Sequence, residues 1–90
     1  MITFNLPTQL LALCGGQKSI QVEATTLGEA FRGLDEAAPM IRSQLFDAAG
    51  ELRQFIGLFL DNQHVLTLGD GAQSVQAGSR IDIVMAVAGG

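Results

Sequence analysis

Arg80-Ile81-Asp82-Ile83-Val84-Met85-Ala86-Val87-Ala88-Gly89-Gly90 is the stretch that decides the fold. Ile81, Ile83, Met85 and Val87 recur at every second position, with Asp82, Val84 and Ala86 between them. That period of two marks a strand beginning near Arg80, whose alternate residues face opposite sides of a sheet. The apolar run then passes straight into two glycines. Glycine has no Cβ and threads where any other residue would clash. An extended residue spans at most roughly 3.3–3.6 Å, so Val87 to Gly90 would carry a terminal carboxylate on the order of 13 Å beyond the sheet. The expectation is a domain over residues 1–86 and a flexible Gly-Gly tail over 87–90 that reaches a partner's active site.

Working outward, composition bounds what such a domain can be. The 90 residues suffice for one domain with a core of its own, and 48% hydrophobic against 16% charged residues excludes a disordered chain. No apolar run approaches the roughly 20 residues of a membrane-spanning helix. Met1-Ile2-Thr3-Phe4-Asn5 lacks the basic start of a signal peptide. The single cysteine, Cys14, forms no internal disulfide, which agrees with a reducing compartment. A cytoplasmic location is the expectation. A net charge of −4 with scattered Lys18, Arg32, Arg42, Arg53 and Arg80 argues against nucleic acid and favours a protein partner.

Toward the N-terminus, Ile2, Phe4 and Leu6 alternate with Thr3 and Asn5, giving a first strand that Pro7 ends. Thr8 to Leu13 reads as a loose helical turn and Gly15-Gly16-Gln17 as a turn. Ile20, Val22 and Ala24 form a second strand, antiparallel to the first. Thr26 and Glu29 have the spacing of a capping box, in which each side chain satisfies a free amide of the other's backbone. Leu27, Ala30, Phe31 and Leu34 fall on one face of the helix that follows, roughly 26–38, and Pro39 closes it. Glu29, Arg32, Asp35 and Glu36 take the solvent side.

Residues 39–54 carry no clear period; Met40, Ile41, Leu45, Phe46 and Leu52 are expected to cover one edge of the core. Phe55-Ile56-Gly57-Leu58-Phe59-Leu60 is apolar on both faces and reads as a central strand. Asp61-Asn62-Gln63 is a turn, with a short returning strand from His64. One long helix across a sheet of about five strands satisfies this order. The first and last strands lie side by side and parallel, because a crossover containing the helix joins them.

These residues resemble the β-grasp, ubiquitin-like sulfur carriers, which share this element order and the Gly-Gly end. They include the small subunit of molybdopterin synthase and the thiamin sulfur carrier. Asn5-Leu6-Pro7-Thr8, Gly15-Gly16-Gln17-Lys18-Ser19, Thr26-Leu27-Gly28, Arg53-Gln54-Phe55 and Ala86-Val87-Ala88-Gly89-Gly90 are most similar to the subgroup serving cysteine biosynthesis. Carriers that serve thiocarboxylate-containing siderophores are alike by inspection.

The resemblance implies an α+β fold and a protein co-substrate without catalytic residues or bound cofactor. A ubiquitin-activating-like enzyme would use ATP to adenylate the Gly90 carboxylate, and sulfide or a persulfide would displace AMP to leave a thiocarboxylate. Val87, Ala88 and Gly89 would enter partner active sites. A sulfur-acceptor enzyme would take the sulfur, and a metalloprotease would trim or release the carrier. A molybdopterin synthase subunit and a ubiquitin-like protein modifier are the alternatives.

If Ile56, Leu58 and Leu60 face the helix, Phe55 and Phe59 lie on the open side with Val84 and Ala86. Those four are the expected partner-docking patch. The competing expectation is that residues 39–54 fold over and bury it. Cys14 reads as structural, because the family places sulfur on the terminal carbonyl. His64 is alone and Asp70 lies in no metal loop of the right length, so no metal is expected. Gly69-x-Gly71 lacks the lysine and helix of a phosphate loop.

Overall fold

Strand β1, Ile2–Asn5, buries Ile2 and Phe4 and turns Thr3 and Asn5 outward, as its period of two requires. It and the other elements are seen in a computed structural model that describes residues 1–65 and 71–85. After Pro7 the chain makes a 3₁₀ segment, Thr8–Leu13, which plugs Leu10 into the core. Gly15 and Gly16 reverse it at φ 68° and 81°, a left-handed backbone that side chains resist. Strand β2, Ser19–Val22, returns antiparallel, with Phe4 opposite Ile20.

Helix α1, Leu27–Ala37, buries Leu27, Ala30, Phe31 and Leu34, the face expected from their spacing. Its start differs in one detail from the capping box. Thr26 Oγ1 accepts from the Glu29 amide at 3.2 Å, but Glu29 Oε1 accepts from the amide and hydroxyl of Thr25, each at 2.8 Å. The remaining free amides are met by a loop: Leu27 N donates to Gln73 O and Gly28 N to Gly71 O, both at 2.9 Å. Helix α1 ends at Ala37, with Ala38 as its C-cap before Pro39.

The segment after α1 has no period because it is built from two short pieces. A 3₁₀ turn, Pro39–Ile41, leads into one turn of helix, α2, Arg42–Leu45. They send Ile41, Leu45 and Phe46 into the core, and Leu52 packs against it. Met40 is a correction: it is 64% exposed, because the 3₁₀ turn that buries Ile41 points its neighbour outward.

Strand β3, Ile56–Leu60, and strand β4, Gln63–Val65, form a tight hairpin; Asp61 and Asn62 supply its two left-handed residues at φ 48° and 71°. Gln63 is thus the first residue of the strand rather than the last of the turn. Strand β5, Arg80–Met85, lies between β1 and β3, and the sheet order is β2-β1-β5-β3-β4. β5 is parallel to β1 and antiparallel to β3, as a crossover through α1 demands.

The core lies between α1 and the sheet. Its centre is a row of rings: Phe31 meets Phe4 edge-on at 5.1 Å and Phe46 edge-on at 5.7 Å. Every buried side-chain polar atom among the described residues is hydrogen-bonded. None of the described helices is long and apolar enough to cross a membrane.

Two outcomes follow. Phe31→Ala should lower stability in urea unfolding by about 3–5 kcal/mol, whereas a loss near zero would place the ring outside the core. The Thr25 amide, then its hydroxyl, hold the Glu29 carboxyl below its usual range. A depressed folded pKa stabilises the protein above the ordinary glutamate value, and that contribution is lost as pH falls through the depressed one. Glu29→Gln should therefore be less stable than wild type at neutral pH, with the gap closing on acidification. A gap that does not change with pH would show that the ionised form is not the one Thr25 selects.

Candidate functional site

The side of the sheet away from α1 is uncovered by any described element. Alternation turns Thr3 and Asn5 of β1, Asp82 and Val84 of β5, Gly57 and Phe59 of β3, and His64 of β4 to this side. Residues 39–54 do not fold over it. Their buried members, Ile41, Leu45 and Phe46, belong to the core on the α1 side.

Its apolar part is made by two adjacent strands. Val84, 47% exposed, lies opposite Gly57, where an added Cβ would stand 2.8 Å from Val84 Cγ2. Only a glycine lets the Val84 side chain lie across β3 there. Phe59 is half-buried and stacks on His64, centroids 5.0 Å apart and planes 20° apart. An open concavity of about 700 Å³ runs past Phe59, Val84 and Met85 to Pro7.

The structure thus brings two of the expected docking residues, Phe59 and Val84, onto one face. Phe55 is a correction in part. It is 51% exposed but lies in the turn before β3, not on the strand, because Ile56 N bonds back to Arg53 O at 3.0 Å. Strand alternation therefore does not orient it. Ala86, Val87, Ala88, Gly89 and Gly90 lie outside the described residues, as do Gly69 and Asp70.

A polar ladder beside the apolar part was not read from the sequence. Ser19 Oγ donates to Asn5 Oδ1 at 3.0 Å, and Asn5 Nδ2 donates to Asp82 Oδ1 at 2.7 Å. Arg80 Nε donates to Asp82 Oδ2 at 3.0 Å, and Arg80 Nη2 donates to Asn62 Oδ1 at 2.8 Å. The Arg80 amide donates to Asp61 Oδ1 at 2.9 Å and holds that carboxyl below its usual range. Alternation alone places Asn5 and Asp82 outward. Their meeting depends on the register of β1 against β5, which no local pattern carries.

Cys14 is half-buried, and its thiol donates to the Gln17 carbonyl at 3.1 Å, within its own turn. Among the described residues, no group of three or more His, Cys, Asp or Glu side chains is gathered closely enough to hold a metal ion. The described face thus offers shape and apolar contact.

No protein-family model matches the chain. The sulfur carrier protein CysO of Mycobacterium tuberculosis and that of Mycobacterium bovis are each 32% identical over 91 aligned residues, covering 99% of this chain and 98% of theirs. The crystal structure of Mycobacterium tuberculosis CysO superposes with a TM-score of 0.84 at 29% identity, over 97% of this chain and 100% of the other. CysO in the Amycolatopsis orientalis BexX/CysO complex gives 0.82 at 25% identity, over 100% of both chains. SAMP1 of Haloferax volcanii gives 0.81 at 23% identity, over 99% of this chain and 98% of the other, which bears on the fold alone. The chain therefore belongs to the CysO-type sulfur carriers, β-grasp proteins of the ubiquitin-like kind that serve as protein co-substrates rather than enzymes.

Proposed function

We propose that this carrier delivers sulfur as a thiocarboxylate on Gly90, and that the sulfur goes into cysteine or into a thiocarboxylate-containing metabolite such as a siderophore. The observation that carries the reading is similarity to the CysO sulfur carriers along 99% of the chain. In the proposed first step, the Gly90 carboxylate attacks the α-phosphate of ATP bound by a ubiquitin-activating-like enzyme, and pyrophosphate leaves. Hydrosulfide then attacks the acyl carbon, the C–S bond forms, and AMP departs with the electrons of the broken C–O bond. The carrier needs no cofactor for this; ATP belongs to the partner.

In this reading residues 1–86 are the docking body and 87–90 the arm. Val87, Ala88 and Gly89 thread the partner's channel, and the missing Cβ of the last two residues sets how narrow that channel is. Phe59 and Val84, which share the open face, are the docking patch, and Phe55 in the turn before β3 and Ala86 are assigned to it as part of the same proposal. Exposed apolar area of this kind usually marks an interaction site. The solved BexX/CysO complex supports docking on a partner protein as a habit of the family. A sulfur-acceptor enzyme and a metalloprotease that releases the carrier complete the proposed set of partners. The carrier's contribution is positioning, which counts as proximity at the partner's site.

Pyrophosphate exchange catalysed by the activating enzyme separates body from arm. A carrier lacking Gly90, or extended by one residue, should give no exchange yet still compete with the wild type, because the terminus moves by roughly 3.3 Å while the patch is intact. Phe59→Asp should remain folded, lose competition, and raise KM for the carrier. Normal exchange by the truncated chain would refute the role of Gly90. Unchanged KM for folded Phe59→Asp, or its unfolding, would refute the patch.

A further inference from the structure

Apolar alternation along the last strand does not fix its own register. Ile81, Ile83, Met85 and Val87 repeat every two residues in the sequence. Moving β5 back by two residues would put Ile83 opposite Leu60 and Met85 opposite Leu58, in place of Ile81 and Ile83. Apolar side chains would still fill the core positions. The carbonyl-to-amide bonds at the start of β5 are equally indifferent, although the Arg80 amide is held by the Asp61 side chain. Thr3 N donates to Ser79 O and Asp61 N to Arg80 O, and either amide would donate equally well to another carbonyl. A strand whose pattern repeats under a two-residue shift is specified by its entry turn, where Gly78 N donates to Met1 O at 2.9 Å, and by contacts that name particular side chains.

The open face supplies them. Asn5 of β1 lies opposite Asp82 of β5, and its Nδ2 bonds Asp82 Oδ1 at 2.7 Å. Asp82 is held on its other oxygen by Arg80, itself held by Asn62 of the β3–β4 turn. Ser19 of β2 holds the Asn5 amide oxygen. In the shifted register Val84 would face Asn5, whose Nδ2 would lose Asp82, and Phe59 rather than Gly57 would face Val84.

We infer that the Asn5–Asp82 hydrogen bond is the register lock of β5 and makes both side chains positioning residues for the sulfur-transfer terminus. A two-residue retraction would draw that terminus in by about 6.6 Å. The body would still present Phe59 to a partner, but the carboxylate would stop short. A polar pair that selects one arrangement among apolar alternatives is the best-attested use of such groups. The part concerning turnover rests on the adenylation reading above; the part concerning register does not.

The test is the double variant Asn5→Leu with Asp82→Leu, set beside Asp82→Asn, which keeps an acceptor for Asn5. Cross-strand NOEs read the register in the free full-length protein. The double variant should show, beside the native Leu58–Ile83 and Leu60–Ile81 contacts, a second set joining Leu58 to Met85 and Leu60 to Ile83. Pyrophosphate exchange should then lose kcat in proportion to the shifted population, and KM should rise as well, because Val84 of the proposed patch moves with β5. Asp82→Asn should show the native set alone and near wild-type kcat. Native contacts alone in the folded double variant overturn the lock, whatever the activity. A shifted population with full kcat overturns its role in reach. If the double variant does not fold, Asn5→Ala is read by the same NOEs, and a single native register there overturns the proposal. Failure of the wild type to support exchange would instead count against the adenylation reading, with the NOEs still deciding the lock.

Discussion

Pairing Phe4 with Ile81 across β1 and β5 joins the first and last strands, and the other contacts are arranged around that join. A parallel pair cannot be closed by a tight turn, so the chain between must cross over, and α1 is what crosses. Its apolar face then has one place to go, onto Ile2, Phe4, Ile81 and Ile83. The Phe4–Phe31–Phe46 row carries the packing from the sheet, through α1, to the segment that follows it. Because these contacts link distant parts of the sequence, loop closure is costly and the helix gains its stability only when the sheet is present.

What could be read in advance followed from local periods. The first strand, the last strand as far as Met85 and the buried face of α1 each repeat with a period of two or 3.6 and lie where the pattern put them, whereas the β3–β4 hairpin, read from an apolar run and turn residues, begins its strands at Ile56 and Gln63 rather than Phe55 and His64. Residues 39–54 were opaque because a 3₁₀ turn and a single helical turn have no shared period, so Met40 and Ile41 look alike in sequence and part company in space. Phe55 was misread for a related reason: apolar character continues across the boundary between a turn and a strand. The Thr25 partner of Glu29 and the loop that meets the amides of Leu27 and Gly28 depend on the path of the chain near the cap. Of the site, Phe59 and Val84 were legible from alternation, whereas the Asn5–Asp82 pair requires knowing which residue of one strand faces which of another.

The division of labour also follows from the join. A central strand is held by backbone bonds on both edges, so β5 is a rigid base for whatever succeeds Met85. Its outward face carries an apolar surface made possible by Gly57 and a polar ladder anchored on Asp82. The proposed chemistry needs nothing further from the domain. In that proposal an acyl adenylate and a thiocarboxylate would form at the end of the chain, within an enzyme that supplies the nucleotide and the sulfur. The proposal assigns no role to Cys14, whose thiol donates to Gln17 O within its own turn.

In the proposed chemistry the transferred sulfur is bound to the last carbonyl carbon of the chain. Intact and peptide mass spectrometry after incubation with the activating enzyme, ATP and sulfide tests it most directly. Replacing oxygen by sulfur should add about 16 Da to the C-terminal peptide, in the wild type and equally in Cys14→Ser. Added mass that maps to Cys14 and vanishes in Cys14→Ser, or lysine-linked adducts in place of the sulfur gain, would contradict it.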